Sequence, residues 1–574
     1  TVVRKVEILR DGKAVTAAQG GLLAEDQTVA LQLPADAVPG TGRVTVKLYP
    51  GVTSQIVDGL AGLLRVPYGC FEQTTSVTYP NVLVLEYLQR TGQTNPQVQL
   101  QAAQYINLGY QRLVSFEVAN DPGGFSLYGD WPAETMLTAY GLMQFTEMSR
   151  VSYVDRALVE RTVNFLLSRQ QPDGHWSWYS EEGGYGQNSS QLDLMATALV
   201  SWALADAGHA DSEAVARGLA YVDAALTADL RPRTLGSAGQ NATPTPSGTS
   251  TVSNEVDLYT LALAANAFVA AGHEADGLLD RLAASAQTDD HKRAYWAGHE
   301  SWLGASGGTA DLETTALATI ALLRSKRHLT LAEDALNYIT AQRDGFGSFH
   351  TTQATVLALK ALLLAAEASE EAGEATVTVW LDGKAEQTIA ITPENADLMQ
   401  PIGFDQVDAG EHTVRITVDG ERTLHYQVVT DYYAPWQAEQ SEEEAVQLTL
   451  RYDRTTLAIN ETVQAEAEVV LQAPGDAATL LVTLGIPPGF SPLNKDLDAL
   501  VENGQIERYE LAGRQIVLYL SDVASEKVYT FPYRLVARFP VEALTPGSRA
   551  FDYYAPDRQG SAPPQRFTVG LDTP

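Results

Sequence analysis

A thiol and a carboxamide stand three residues apart at Cys70 and Gln73, in the run Pro67-Tyr68-Gly69-Cys70-Phe71-Glu72-Gln73-Thr74, and Cys70 is the only cysteine of the 574-residue chain. Side chains three apart at the mouth of a helix share a face, so the sulfur can attack the side-chain carbonyl, expel ammonia and close an internal thioester. Such a bond is a stored acylating agent. A solitary cysteine is ordinarily a small buried hydrophobe without chemistry, but the flanks of this one argue for reactivity. Pro67 fixes φ ahead of the turn, and Gly69 lets the backbone approach closely. From Thr74 to Leu88 the apolar residues Val77, Val82, Leu83, Leu85 and Leu88 form a stripe that predicts a helix directly after the motif.

This segment resembles the thioester region of the alpha-2-macroglobulin and complement family, whose signature is P-Y-G-C-x-E-Q followed by a short polar run. The resemblance implies that Cys70 and Gln73 are the thioester partners, that Pro67, Tyr68, Gly69 and Glu72 support the motif, and that Phe71 fills its variable position. It also implies aromatic side chains that seal the bond from water. Tyr553 and Tyr554 fall in the family's Y-Y-x-P segment and are the candidates for a shield donated by the last domain, against the ordinary role of paired tyrosines as packing at a strand end. Acceptor preference in the family is set about a hundred residues after the cysteine, where a histidine favours hydroxyl acceptors and its lack favours amines. Here that position falls in the loop Tyr179 to Asn188, with Ser180, Glu181, Glu182, Gln187 and Asn188 but no histidine. Amines are therefore the expected acceptors. The nearest histidine, His175, is the candidate acyl-transfer helper, in an Asp-Gly-His-Trp loop where the residue is ordinarily structural filler.

Other chemistries find little support. Nine histidines are scattered, His291 and His299 stand eight apart, and the chain has no H-E-x-x-H run and no Cys/His ligand cluster, so neither a metal nor another cofactor is expected. The glycine-rich stretch Glu182-Gly183-Gly184-Tyr185-Gly186 lacks the strand and lysine of a phosphate loop, and there is no G-x-S-x-G elbow. Asn241-Ala242-Thr243 and Asn460-Glu461-Thr462 match the short glycosylation pattern, and the Thr/Ser/Pro-rich segment Asn241 to Ser253 reads as an exposed loop. With 38 basic against 71 acidic residues, the net charge of −33 opposes binding to nucleic acid or an anionic membrane. A single cysteine excludes an internal disulfide framework, which departs from the disulfide-rich animal members and suits a bacterial relative.

The elements that must hold the motif fall into blocks. Residues 1–54 alternate apolar and polar, as in Thr28 to Leu33 and Val44 to Tyr49, and read as strands. From about Ile56 to Ala366 the period is helical, and glycine-aromatic loops recur ahead of helices: Gly124-Phe125 before Leu137 to Leu142, Asp173-Gly174-His175-Trp176 before Met195 to Val200, Asp311 to Leu317, and Gly347-Ser348-Phe349 before His350 to Thr355. Such self-similarity points to stacked helical hairpins, with small residues on the inner faces, that close into an α/α toroid. Trp131, Trp176, Trp178 and Trp302 are expected in its core. Strands return after Glu374, in Ala375 to Leu381 and His412 to Val418 with Asp419-Gly420 turning, then an acidic linker from Pro435 to Glu444 and a last β-domain.

The expected architecture is multidomain: an α/α toroid (helical hairpin barrel) inserted in a β-sandwich, followed by a macroglobulin-like β-sandwich. Its parts, as the resemblance implies them, are the first half of a CUB-like β-domain (1–54), the thioester toroid (55–368), the second CUB-like half (374–432), a linker (433–444) and a C-terminal receptor-binding-like domain (445–574). The resemblance implies a C-terminal fragment of a broad-spectrum protease-trapping alpha-2-macroglobulin of bacterial type. Its partners would be target proteases, held covalently through lysine amines, and upstream macroglobulin and bait domains of the same precursor, with no nucleic acid. It would act extracytoplasmically, in the periplasm or at the cell surface, with a membrane anchor through the missing N-terminus as a further expectation. The reaction is a single-use acyl transfer, so no enzyme is expected. Two rivals are a terpene-cyclase or prenyltransferase-like toroid, which lacks its D-x-D-D and D-D-x-x-D motifs here, and a structural or adhesive module in which Cys70 never forms a thioester.

Overall fold

The computed structural model describes residues 12–571 apart from 52–53, 55–66, 68, 92–95, 179–189, 230–255, 300, 344–348, 350, 369–372, 384, 393–394, 396–397, 421–423, 436–443, 474 and 557. Strands before and after the helical region interleave in one sandwich. Lys13–Leu23 pairs antiparallel with Leu424–Ala434, which pairs with Gly42–Tyr49, which pairs with Gln400–Val407. The facing sheet runs Gln27–Leu33, Gly410–Gly420, Ala375–Leu381, Ala385–Ile391. In Gln27–Leu33 every second residue is buried from Val29 on, and Val29, Leu31 and Leu33 meet Val44, Val46, Val377, Val414 and Val428 between the sheets. Because both sheets need strands from both sides, the helical region is an insertion. Asp419 and Gly420 still pair with Thr376 and Ala375, so the chain leaves the sheet only after Gly420.

The insertion is built from helices α1 (Phe71–Thr91), α2 (Pro96–Val114), α3 (Thr135–Val151), α4 (Arg156–Ser168), α5 (Ser190–Leu204), α6 (Glu213–Asp229), α7 (Leu258–Ala270), α8 (Asp276–Ala284), α9 (Gly307–Ser325), α10 (Leu329–Ala341) and α11 (Thr352–Ala368). The odd-numbered helices pack in sequence, and α11 returns to pack on α1, which closes an inner ring of six; each even-numbered helix lies outside the one before it. The stripe expected on α1 is absent. From Phe71 to Leu88 only Ser76, Val77 and Glu86 are less than fully buried, because an inner helix is enclosed on all sides. Outer helices keep the one-sided pattern, as in α4 with Leu158, Thr162, Val163, Phe165 and Leu166 buried. Trp176 and Trp302 are in the core and Trp178 is partly buried against it, but Trp131 is 51% exposed. It lies in the loop between α2 and α3, where the chain runs along the surface through the cis Trp131–Pro132 peptide.

The last domain stacks a four-stranded sheet (Val446–Tyr452, Thr462–Leu471, Val528–Ala537, Phe490–Pro492) on a five-stranded one (Arg508–Ala512, Gln515–Val523, Ala477–Gly485, Ser548–Asp552, Gln559–Ala562). Leu448, Val469, Leu480, Val482, Leu518 and Phe531 fill the space between. The outer face of the five-stranded sheet carries Leu481, Val517, Tyr519, Phe551 and Tyr553, a second apolar cluster. Among the described residues no helix is long and apolar enough to cross a membrane.

Candidate functional site

Cys70 is buried at the N-terminus of α1, in the turn made by Gly69 with φ +82°. The Phe71 N–H donates to Leu127 O at 2.8 Å and the Thr74 N–H to Cys70 O at 2.9 Å, which fixes the first turn against the loop ahead of α3. Gln73 folds its carboxamide back so that Oε1 accepts from the Cys70 N–H at 3.2 Å. A Cβ on Gly69 would stand 1.8 Å from that oxygen and 2.7 Å from Cδ of Gln73. The turn thus holds the Gln73 carboxamide against the backbone of Gly69 and Cys70. Tyr68 lies outside the described residues, and Pro67 is buried beside the turn.

Burial pushes the Cys70 thiol up to about 12, helped by the charge of Glu72; the N–H groups of Gln73 and Glu72, which point at the sulfur from the helix start, and the Arg508 guanidinium pull the other way. Burial wins. Glu72 is itself buried, which raises its carboxyl to about 7 against hydrogen bonds from Tyr553 and Ser76. A second buried carboxyl, Glu313 on α9, is raised to about 8, chiefly by burial and also by Glu72, and accepts from Thr351 Oγ1 at 3.2 Å.

Tyr553 and Tyr554 reach this pocket from the C-terminal domain. Tyr553 Oη is 3.5 Å from Ser76 Oγ on α1, and the Tyr554 ring lies 3.9 Å from where a Gly304 Cβ would be. Both phenols are pushed well up, first by burial, then by Glu72 and Cys70. Their rings pack edge to face at 5.0 Å. His175 is engaged elsewhere: Nδ1 is 2.6 Å from Asp173 Oδ1, Nε2 is 3.2 Å from Ser177 Oγ, and the ring lies against Tyr221. The described contacts do not link it to Cys70. The loop Tyr179 to Asn188 and the segment Asn241 to Ser253 lie outside the described residues. Among the described residues, no three His, Cys, Asp or Glu side chains converge as metal ligands would.

Four residues at the pocket's edge carry no sequence signal. Arg112, in the last turn of α2, donates through Nε to Gly69 O at 3.0 Å and to Thr74 Oγ1 at 3.2 Å. Glu510 and Arg508 of the last domain and Tyr128 of the toroid complete the seam, with the Arg508 guanidinium 5.0 Å from the Tyr128 and Tyr519 ring centres.

Residues 45–364 match the family model described as the A-macroglobulin TED domain, and residues 475–563 that of the A-macroglobulin receptor binding domain. The chain is 25% identical to ovostatin of Gallus gallus over 555 residues, which cover 92% of this chain and 35% of ovostatin. It therefore spans about a third of that relative's length. Among solved structures it is similar to a Salmonella alpha-2-macroglobulin reacted with methylamine (TM-score 0.68, 19% identity, 98% of this chain and 34% of that one). It is also similar to native Escherichia coli alpha-2-macroglobulin from domain MG7 to the C-terminus (TM-score 0.66, 18% identity, 97% of this chain and 82% of that one). At these identities the two structures speak for the fold: a helical ring inserted in one sandwich and followed by another.

Proposed function

The chain belongs to the alpha-macroglobulin family, and from that premise we propose that Cys70 and Gln73 form an internal thioester that acylates amines of a captured protease. The observation that carries this reading is the Gln73 carboxamide folded over Gly69 onto the Cys70 backbone, at a buried helix start beneath two tyrosines of another domain. In forming the bond, Sγ attacks Cδ of Gln73, the S–H proton leaves with the amide nitrogen, and ammonia departs. The Cys70 N–H polarises the carbonyl and supports the oxyanion in both formation and opening. In opening, a primary amine attacks the same carbon, the C–S bond breaks, and the proton lost by the amine ends on the sulfur. An amide at Gln73 and a free thiol at Cys70 remain. The proton transfer matters because burial makes a bare thiolate a poor leaving group here, while the N–H groups at the helix start offset part of that penalty.

Water would open the bond as readily as an amine, so the pocket must stay dry until use. Tyr553 and Tyr554 are the shield in this reading. Proteases are the partners and their lysines the acceptors, in an extracytoplasmic setting, and each molecule acts once. Intact mass before and after methylamine tests the proposal. A formed bond leaves the protein about 17 Da light, and methylamine then adds about 31 Da at Gln73 and releases one thiol. A mass equal to the sequence, unchanged by methylamine, with the thiol already free would overturn it.

A further inference from the structure

We propose that Arg112 is a positioning residue that ties the seating of the C-terminal domain to the backbone turn holding Cys70 and Gln73, with Glu510 as the shared anion of the latch. Its role toward the bond rests on the thioester reading above; the latch itself does not. An arginine in the last turn of a helix can bond that helix's own last carbonyls. Arg112 instead leaves α2 and donates from Nε and Nη2 to the Gly69 carbonyl, at 3.0 and 2.5 Å, while Nη2 also reaches Glu510 Oε1 at 3.2 Å. The Gly69 carbonyl and the Cys70 N–H belong to the same peptide unit, and that N–H holds Oε1 of Gln73. A cation on one end of a peptide strengthens the donor at its other end. The chain of contacts therefore runs from Glu510 through the guanidinium and the Gly69–Cys70 peptide to the Gln73 carboxamide.

The other side of the latch is built in the same way. Arg508 and Glu510 are two apart on the edge strand Arg508–Ala512, so their side chains leave the same face. Arg508 donates to the same Oε1 that Arg112 uses and spreads over Tyr128 of the toroid and Tyr519 of its own sheet. One carboxylate thus sits between two guanidinium groups, one from each domain. Without its charge the two cations would face each other across the seam. An isolated exposed ion pair contributes little. This one differs in being shared, in having Glu510 only 17% exposed, and in ending on the reactive turn.

The test uses the full chain with Glu510→Gln, Arg112→Met, the double variant and Arg112→Lys, each checked by thermal melting. Thiol release by methylamine and by a bulkier primary amine is followed over a range of NaCl. With the latch in place, Glu510→Gln and Arg112→Met each speed release by the bulky amine about tenfold, and the double variant adds nothing further. The parent's rate rises with salt, while that of Glu510→Gln does not. Arg112→Lys keeps the charge but loses the planar fork, so it restores the salt dependence and lowers the fraction carrying the mass deficit. Additive effects, or equal salt dependence in parent and Glu510→Gln, would overturn the latch. If the parent shows neither mass deficit nor thiol release, the thioester reading has failed instead. Cys70 is then a free thiol, and its alkylation by iodoacetamide reads the latch directly: faster labelling in Glu510→Gln that does not rise with salt supports it, unchanged labelling refutes it.

Discussion

Any residue but glycine at position 69 would meet two obstacles, a φ of +82° and the Oε1 of Gln73 at 1.8 Å from its Cβ. The first strains the backbone by roughly 1–2 kcal/mol in any L-residue with a side chain. The second cannot be relieved unless Gln73 moves, because the contact includes Cβ of Gln73 at 2.8 Å as well as the far end of its side chain. Gly69→Ala is therefore expected to lower stability by about 1–2 kcal/mol in urea and, separately, to remove the mass deficit of the proposed thioester. A variant that kept the deficit in full would show that Gln73 does not need this geometry. The need for glycine at position 69 could be read from sequence because it is local, arising within the five residues Gly69 to Gln73. Arg112, Tyr128, Arg508 and Glu510 were not legible. They come to the seam beside the turn from α2, from a loop and from another domain, and nothing in their own neighbourhoods marks them.

The toroid repeats its own joint. In four loops an aromatic residue's N–H donates to a threonine hydroxyl on the following inner helix: Phe125 to Thr138 at 2.9 Å, Trp176 to Thr197 at 3.0 Å, Trp296 to Thr315 at 3.0 Å and Phe349 to Thr355 at 3.1 Å. Two of the aromatics also tie back to the preceding outer helix, Trp176 Nε1 to Leu166 O and Trp296 Nε1 to Leu282 O, each at 2.7 Å. All four loops are thereby pinned to the start of the next inner helix, and the two indole loops to the end of the preceding outer helix as well. The loops at Phe125, Trp176 and Phe349 and the helices after them were visible as a repeat, whereas the loop at Trp296 was not and only its helix, Asp311 to Leu317, was read as a copy. The bond that joins them was not, since threonine recurs throughout these helices for other reasons, bonding back to carbonyls four residues earlier as Thr197 does to Asp193 O. Thr197→Val keeps the shape and removes the hydroxyl, leaving the Trp176 N–H buried and unpaired. The expected loss is about 1–3 kcal/mol, measured by urea unfolding. A loss within a few tenths would mean that the loop is held by the indole alone.

Across the whole molecule, the order of blocks could be read from the change of period, but the seams between them could not. Strand patterns on either side of the helices, taken with the family resemblance, pointed to one interrupted sandwich, and the interleaved pairing of Lys13–Leu23 with Leu424–Ala434 agrees with that. Helical periodicity failed on the inner ring, where helices buried on every side carry no stripe. The seam between sandwich and toroid rests on polar residues that no pattern singles out. Gln427 donates to Arg343 O at 2.9 Å, the Arg343 guanidinium lies 5.1 Å from the Tyr49 ring centre, and His425 Nε2 is 3.2 Å from Asn337 Oδ1 on α10. Burial lowers His425 from 6.5 to about 4, so the folded protein keeps this imidazole neutral where the unfolded chain would protonate it. The unfolded state then binds more protons between those two values, and stability falls as pH drops from about 6.5 towards 4. The two buried carboxyls Glu72 and Glu313, raised by burial, act in the opposite sense and favour folding at lower pH. A melting profile of the parent alone would mix these contributions, so the comparison must be differential. His425→Gln keeps a polar partner for Asn337 but cannot protonate. Its melting temperature relative to the parent should rise steadily as pH falls from 6.5 to 4, with hydrogen-exchange protection of α10 retained in the variant and lost in the parent. Parallel melting curves over that interval would mean that His425 is protonated in the folded state and that the seam carries no such acid-sensitive joint.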